Sequence, residues 1–308
     1  MAGPAEYSYV RYLHAKRTVD ERALHRGVLD QLRGALAGLP EVPRVLELGA
    51  GVGTMVSRLA DAGWLARARY TLLDSDGTSL AAALEHLRTW GGPAAQTDGA
   101  RVVVRDATSD LEVVPVEADV FAFLAADARA GGDDGPYDLV IANAFLDLVD
   151  VGALLPALWR RLGPGRPFWF SINFDGETIF LPERPLDAAV TALYHAGMDQ
   201  RIGADGRRAG ESRTGRHLLQ ALPRSGARLL GAGSSDWIVW PSADRRYPHD
   251  EGYFLHHILH TIEVALRGSP ALDAAAFDAW LEARRADVDG GELIYIAHQL
   301  DVVGTAPG

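Results

Sequence analysis

Between Arg44 and Thr54 the chain reads R-V-L-E-L-G-A-G-V-G-T, and this run constrains the fold more than any other. Val45, Leu46 and Leu48 make a short apolar strand with Glu47 near its carboxyl end. Gly49, Gly51 and Gly53 then form a tight turn into a helix that starts near Thr54. Glycine is needed where a backbone turns sharply and a ligand approaches with no Cβ in the way. Such a strand-to-helix turn points to a ligand built on a nucleoside, and the spacing decides which one. A dinucleotide fingerprint reads G-x-G-x-x-G/A, but its third position falls on Thr54.

From Arg44 to about Phe174, strands and helices alternate. Apolar runs at Val45–Leu48, Tyr70–Leu73, Val102–Val104, Leu139–Ala142 and Phe168–Ile172 are separated by helical stretches near 55–62, 78–89, 120–129 and 154–162. Continuous apolar strands with intervening helices predict a parallel sheet covered on both faces, with ligands bound past the carboxyl ends of its strands. Two later strands are expected within Ala227–Trp240 and Glu292–Val303. Helical segments are expected at 1–43, 175–210 and 241–289, including helices near 23–36, 186–200, 250–267 and 274–285.

The second strand ends in T-L-L-D-S-D, which places Asp74 21 residues after Gly53. A carboxylate there can accept hydrogen bonds from both hydroxyls of a ribose. Asp76 is the better candidate for a helix cap. The third apolar run ends in V-V-V-R-D-A-T, and the fourth reads Y-D-L-V-I-A-N-A-F-L-D-L-V.

Taken in order, E-x-G-x-G-x-G, Asp74, Asp106 and the Tyr137–Phe145 stretch resemble the class I S-adenosylmethionine-dependent methyltransferases over about residues 44–174. The resemblance implies a doubly wound α/β fold with a seven-stranded, mostly parallel sheet whose last strand is antiparallel. It implies S-adenosyl-L-methionine as cofactor, held by Glu47, Gly49, Gly51, Gly53, Asp74 and Asn143, with Asp106 and the Ala107 N–H on the adenine. Phe145 would face the transferred methyl. On this reading residues 1–43 are a helical lid, and 44–308 are the methyltransferase domain with insertions at 175–210 and 241–289.

Composition narrows the acceptor. A net charge of −11 argues against nucleic acid, whose phosphates need clustered Lys and Arg. The absence of N-P-P-Y or D-P-P-Y argues against base methylation. A small-molecule acceptor is expected. The chain has no cysteine, which removes thiol chemistry and thiolate metal sites. With no long apolar run and no leader pattern, the chain reads as cytoplasmic with no membrane partner. A homodimer is compatible with the sequence and not dictated by it. Two other classes stay open: a nicotinamide-dependent oxidoreductase, disfavoured by the glycine spacing, and a non-catalytic cofactor-binding scaffold.

Methyl transfer from a sulfonium needs alignment and exclusion of water, and a base only when the acceptor carries a proton. Candidate catalytic groups are His256 and His260, one turn apart in H-D-E-G-Y-F-L-H-H-I-L-H, with His257 about 100° away on a helix. The same histidines could instead form a two-His metal site with Glu251 or Asp250, or simply be hydrogen-bonded in a partly buried helix; no metal is expected. Glu177 is a third catalytic candidate, beyond the Asp175–Gly176 turn after the fifth strand. Asp175 there, and Tyr9, Tyr12, Lys16 and Arg22 of the entry segment, are candidate substrate contacts. Lys16 is the sole lysine of the chain.

Overall fold

The computed structural model describes residues 4, 6–126, 135–203 and 206–308. Two helices come first. Helix α1 (Tyr9–Ala23) begins where the Ser8 hydroxyl accepts the Arg11 N–H, and α2 (Arg26–Leu36) where His25 Nδ1 accepts that of Val28. Strand β1 (Arg44–Leu48), α3 (Thr54–Asp61), β2 (Arg67–Asp74) and α4 (Gly77–Gly91) then follow the expected alternation. Asp76 caps α4 by accepting from Thr78 N and Ser79 N.

The next three strands are β3 (Ala95–Asp98), β4 (Arg101–Arg105) and β5 (Asp110–Glu117), ahead of α5 (Val120–Ala125). The expected continuation of α5 to Arg129 lies outside the described residues. Strand β6 (Leu139–Asn143), α6 (Val151–Trp159), β7 (Pro167–Leu181), α7 (Asp187–Asp199) and α8 (Thr214–Arg224) come next. The chain closes with β8 (Arg228–Ser234), β9 (Trp237–Val239), α9 (Glu251–Leu266), α10 (Ala274–Asp289) and β10 (Ile294–Thr305).

One sheet joins all the strands in the order β3-β4-β5-β2-β1-β6-β7-β10-β8, with β9 also on β10. Strands β5, β2, β1, β6 and β7 are parallel, and β10 runs antiparallel to both β7 and β8. The expected seven-stranded pattern is therefore present, with β10 as its antiparallel member and β3, β4 and β9 as additions. Both faces carry a core. Val45 packs on the α2–α3–α4 side, while Leu46 and Leu48 pack with Leu154, Leu155 and Leu158 of α6 on the other. A strand buried on both faces must be apolar at successive positions, which is why Leu139–Ala142 of β6 reads as an unbroken run and β1 is interrupted only by the buried Glu47.

Three expectations need correction. The third parallel strand is β5 rather than the Val102–Val104 run, which belongs to β4 and pairs antiparallel with β5. Strand β5 buries only alternate residues, Leu111 and Val113, and carries Pro115, so it lacks a continuous apolar signal. Strand β7 continues through Asp175 and Glu177 to Leu181, because β10 supplies a partner along its length. Helix α8 falls in a stretch for which no helix was expected. No helix among the described residues is long and apolar enough to cross a membrane.

Candidate active site

A cleft of about 550 Å³ opens past the carboxyl ends of β1, β2, β5 and β6. One end is lined by Gly49, Ala50, Gly51, Leu73, Asp74, Asp76 and the Ala118–Val120 corner. Gly49, Gly51 and Gly53 have φ of 61°, 53° and 69°, a left-handed region costly for other residues. At Gly49 a Cβ would also run into the ring of Phe145. Asp74 ties this turn to its neighbours: Oδ2 accepts from Gly51 N at 2.8 Å and Oδ1 from Asp76 N at 2.9 Å. Each carboxylate oxygen has a second lone pair, so Asp74 can still accept from a ligand.

Glu47 lies beneath the turn, 2% exposed, and its Oε2 has no hydrogen-bond partner among the described residues. Burial pushes its carboxyl up to about 8, opposed by the Tyr70 hydroxyl and Arg58 and reinforced by Asp74. Across the cleft, Asp119 caps α5 through one oxygen, Oδ1, which accepts from Phe121 N and Ala122 N at 2.9 Å. Its other oxygen is not used by the cap, and the first helical residue, Val120, has no N–H partner within the helix.

The far end of the cleft is aromatic. Tyr9, Tyr12, Phe174, Tyr194, Trp237 and Tyr295 contribute to it. Within it, Asp20 of α1 is a buried carboxylate with three donors. Lys16 Nζ lies 2.5 Å from Oδ2, Asn143 Nδ2 lies 3.1 Å from the same oxygen, and Trp237 Nε1 lies 2.9 Å from Oδ1. Asn143 is held in turn by Ser171, whose hydroxyl donates to its Oδ1 at 2.8 Å. His257 stacks on Tyr12 with ring centroids 4.2 Å apart, and burial pulls its imidazole down to about 4. Burial pushes Asp147 up to about 6, while its own backbone N–H, Arg201 and Lys16 pull it the other way. Ile172, also on the lining, has a φ of 57°, an outlier for a β-branched residue. It sits where the β7–β10 register shifts, its N–H held by Asp301 Oδ1 at 2.8 Å.

No family model matches this sequence. A solved candidate methyltransferase from Bacillus halodurans C-125 superimposes with a TM-score of 0.50 over 92% of this chain and 100% of that one, at 11% identity. The chain has the class I S-adenosylmethionine-dependent methyltransferase fold. In sequence it is 35% identical over 148 residues to the trans-aconitate 2-methyltransferase of Streptomyces avermitilis, a match covering 46% of this chain and 45% of that protein. The chain thus spans under half the length of this curated relative. A methyltransferase from Thiobacillus denitrificans, solved with S-adenosyl-L-homocysteine, aligns over 96% of this chain and 98% of its own at 15% identity, with a TM-score of 0.44.

Within this fold, Glu47, Gly49, Gly51, Asp74, Asn143, Phe145, Tyr9, Tyr12 and Lys16 all line the cleft. Gly53 shapes the turn from behind, its missing side chain admitting Ala83. Other candidates lie elsewhere. Asp106 and Ala107 fall in the β4–β5 turn, at the opposite end of the sheet, where Asp106 accepts from Thr108 N and Ser109 N at 2.7 Å. The corner that follows the third parallel strand is Ala118–Asp119. His256 faces away from the cleft and pairs with Asp289 at 3.0 Å, while His260 stacks on Tyr7 at 4.0 Å. The helix turns His257 inward instead. Glu177 is exposed on the face of β7 opposite Thr178, which does line the cleft. Asp175 is bound by Arg216 at 2.8 Å, and Arg22 is engaged by buried Glu251 at 2.5 Å, so neither reaches the cleft.

Sequence reasoning missed Asp20, Asp119, Asp147, Thr178 and His257 as cleft residues. Asp20 had a usable signal, since it lies one helical turn after the only lysine. Asp119 precedes an apolar helix as a capping residue does, and it would have been found had β5 been recognised.

Proposed function

We propose that this protein is an S-adenosylmethionine-dependent methyltransferase acting on a small molecule enclosed in the aromatic end of the cleft. The observation that carries the reading is the left-handed glycine turn tied to Asp74 at one end of the cleft. The bound cofactor would supply an activated methyl group and its own leaving group. Asp74 would accept from the ribose hydroxyls. Asp119 and the Val120 N–H would take the adenine edge, the role the resemblance gives to the acidic corner after the third strand. Glu47, with an unpartnered oxygen in the lining, fits the cofactor's ammonium. Lys16, already oriented by Asp20, fits its carboxylate.

In this reading residues 1–43 are the lid, since α1 alone brings Tyr9, Tyr12, Leu13, Lys16 and Asp20 to the cleft. Residues 44–308 are the catalytic domain. Its segments at 175–210 and 241–289 bring Tyr194, Met198, His257 and Ile262 to the acceptor end. Their work is to orient the acceptor and keep water out.

The test is a thermal-shift titration with S-adenosylhomocysteine, S-adenosylmethionine, NAD and NADP. Saturating adenosyl ligand should stabilise the protein by about 2.7 kcal/mol at one hundred times its dissociation constant. That shift should vanish in Asp74→Ala. Stabilisation by NAD or NADP alone would overturn the reading in favour of an oxidoreductase.

A further inference from the structure

Immediately after Phe145, whose ring closes over Gly49, the chain makes a short turn at Leu146–Leu148 that brings Asp147 to the cleft lining. We propose that Asp147 is the general base of this cleft, and that the acceptor presents a neutral phenolic hydroxyl to its Oδ1. The proposal rests on the methyltransferase reading above and names the acceptor class for that same site.

The position of Asp147 is built rather than incidental. Its carbonyl accepts the Glu211 N–H at 3.3 Å, and Gly210 packs so close that a Cβ there would strike the same oxygen. The backbone is therefore held from the far side by the segment before α8. Oδ1 itself is buried and has no donor among the described residues. An acceptor oxygen that cannot find a donor is costly to bury, and a ligand hydroxyl would satisfy it.

The ionisable groups that face Asp147 are Lys16 and Tyr9 of α1, Tyr194 of α7, and Arg201 just past α7. Lys16 already pairs with Asp20. With burial the largest influence, the Asp147 carboxyl is pushed up to about 6, ionised at neutral pH yet more basic than an ordinary aspartate. His257 on the same lining is pulled down to about 4, which makes it the weaker base. Glu47 is more basic but lies beneath the glycine turn, at the end of the cleft that fits the cofactor.

The acceptor class follows from the proton and the walls. A carboxylate acceptor arrives ionised and needs no base, so it brings no proton for the unpartnered Asp147 Oδ1 to accept. A phenol carries a proton to be removed and a ring that suits Tyr9, Tyr12, Phe174, Tyr194 and Trp237. In the step, the phenol oxygen bonds to the methyl carbon of the sulfonium, and the carbon–sulfur bond breaks with its electron pair passing to sulfur. The phenol proton passes to Asp147, which returns it to water as the methyl ether leaves.

Two probes test this without turnover: para-fluorophenol and para-fluorobenzoate, followed by fluorine NMR on protein saturated with S-adenosylhomocysteine. At neutral pH the phenol should bind about tenfold tighter than the benzoate, and Asp147→Asn should weaken the phenol about tenfold without weakening the benzoate. Phenol affinity on the wild-type protein should fall several-fold as pH drops through about 6. Preference for the benzoate, equal phenol affinity in Asp147→Asn, or binding of neither probe would each overturn the proposal. If the variant does not fold, the wild-type pH series decides. Absence of a thermal shift with S-adenosylhomocysteine, measured before any probe is added, would instead sink the methyltransferase reading and take this proposal with it.

Discussion

Replacing Glu47 by glutamine should make the free protein more stable and the cofactor complex weaker. The Glu47 carboxyl is 2% exposed, and burial raises it from an ordinary 4.5 to about 8. A carboxyl raised in the folded state contributes stability that is full below the unfolded value. That stability is lost as pH climbs through the folded value, because the folded protein then gives up a proton it binds more tightly than the unfolded chain does. At about 1.4 kcal/mol per unit the ceiling is about 4–5 kcal/mol, and relaxation around the charge brings the expected figure to about 2 kcal/mol. Glutamine keeps the shape and cannot ionise. Glu47→Gln should therefore flatten the pH dependence of unfolding between pH 4.5 and 8 and raise Tm by about 4 °C above pH 8. Arg58 keeps a carboxylate neighbour in the variant, since Glu21 lies 3.9 Å from it. The same substitution should weaken S-adenosylhomocysteine about tenfold in calorimetric titration at pH 8.5, because the ligand's ammonium loses its charged partner. It should leave methylthioadenosine, which lacks the amino-acid part, unchanged. A variant less stable than wild type above pH 8, or one with undiminished affinity for S-adenosylhomocysteine, would refute the reasoning.

Further outcomes separate the site from its surroundings. Asp119→Ala should weaken S-adenosylhomocysteine by about tenfold in the same titration, whereas Asp106→Ala, at the opposite end of the sheet, should leave it unchanged. Gly49→Ala should abolish measurable binding, because the new Cβ displaces Phe145 and strains a residue at φ 61°; the protein should still melt cooperatively. Arg284→Met should destabilise the fold by about 3–5 kcal/mol in urea unfolding, since Arg284 is fully buried between Asp187 at 2.5 Å and Asp287 at 3.1 Å; its loss takes the cation from Asp187, while Asp287 keeps Arg184 at 2.6 Å.

The fold class was legible in the sequence because its strongest signals are local. A strand covered on both faces is apolar over a continuous run, and Leu139–Ala142 of β6 and Leu72–Leu73 at the end of β2 show it, with Glu47 the one buried polar interruption in Val45–Leu48 of β1. A turn that needs φ above zero must carry glycine, and Gly49, Gly51 and Gly53 do. Asp74 followed from its place at the end of such a strand. Strand β5 escaped notice because it alternates and contains a proline, and with it the corner at Asp119. The choice among the histidines failed for a different reason. Helical spacing gives the angle between His256, His257 and His260 but not which of them faces the cleft, and that depends on how α9 packs against α1.

What the chain determined by itself is the frame of the cofactor end: short-range rules of backbone geometry and periodicity act within a few residues and need no partner. What only the tertiary structure decided is the aromatic end of the cleft. Asp20, Asn143 and Trp237 are far apart in sequence, yet Asn143 Nδ2 and Trp237 Nε1 both donate to the one Asp20 carboxylate. Asp147 is raised by burial, with Tyr9 and Lys16 of α1 and Tyr194 of α7, distant in sequence, facing it. Burial and long-range pairing belong to the packed molecule, and no local pattern carries them.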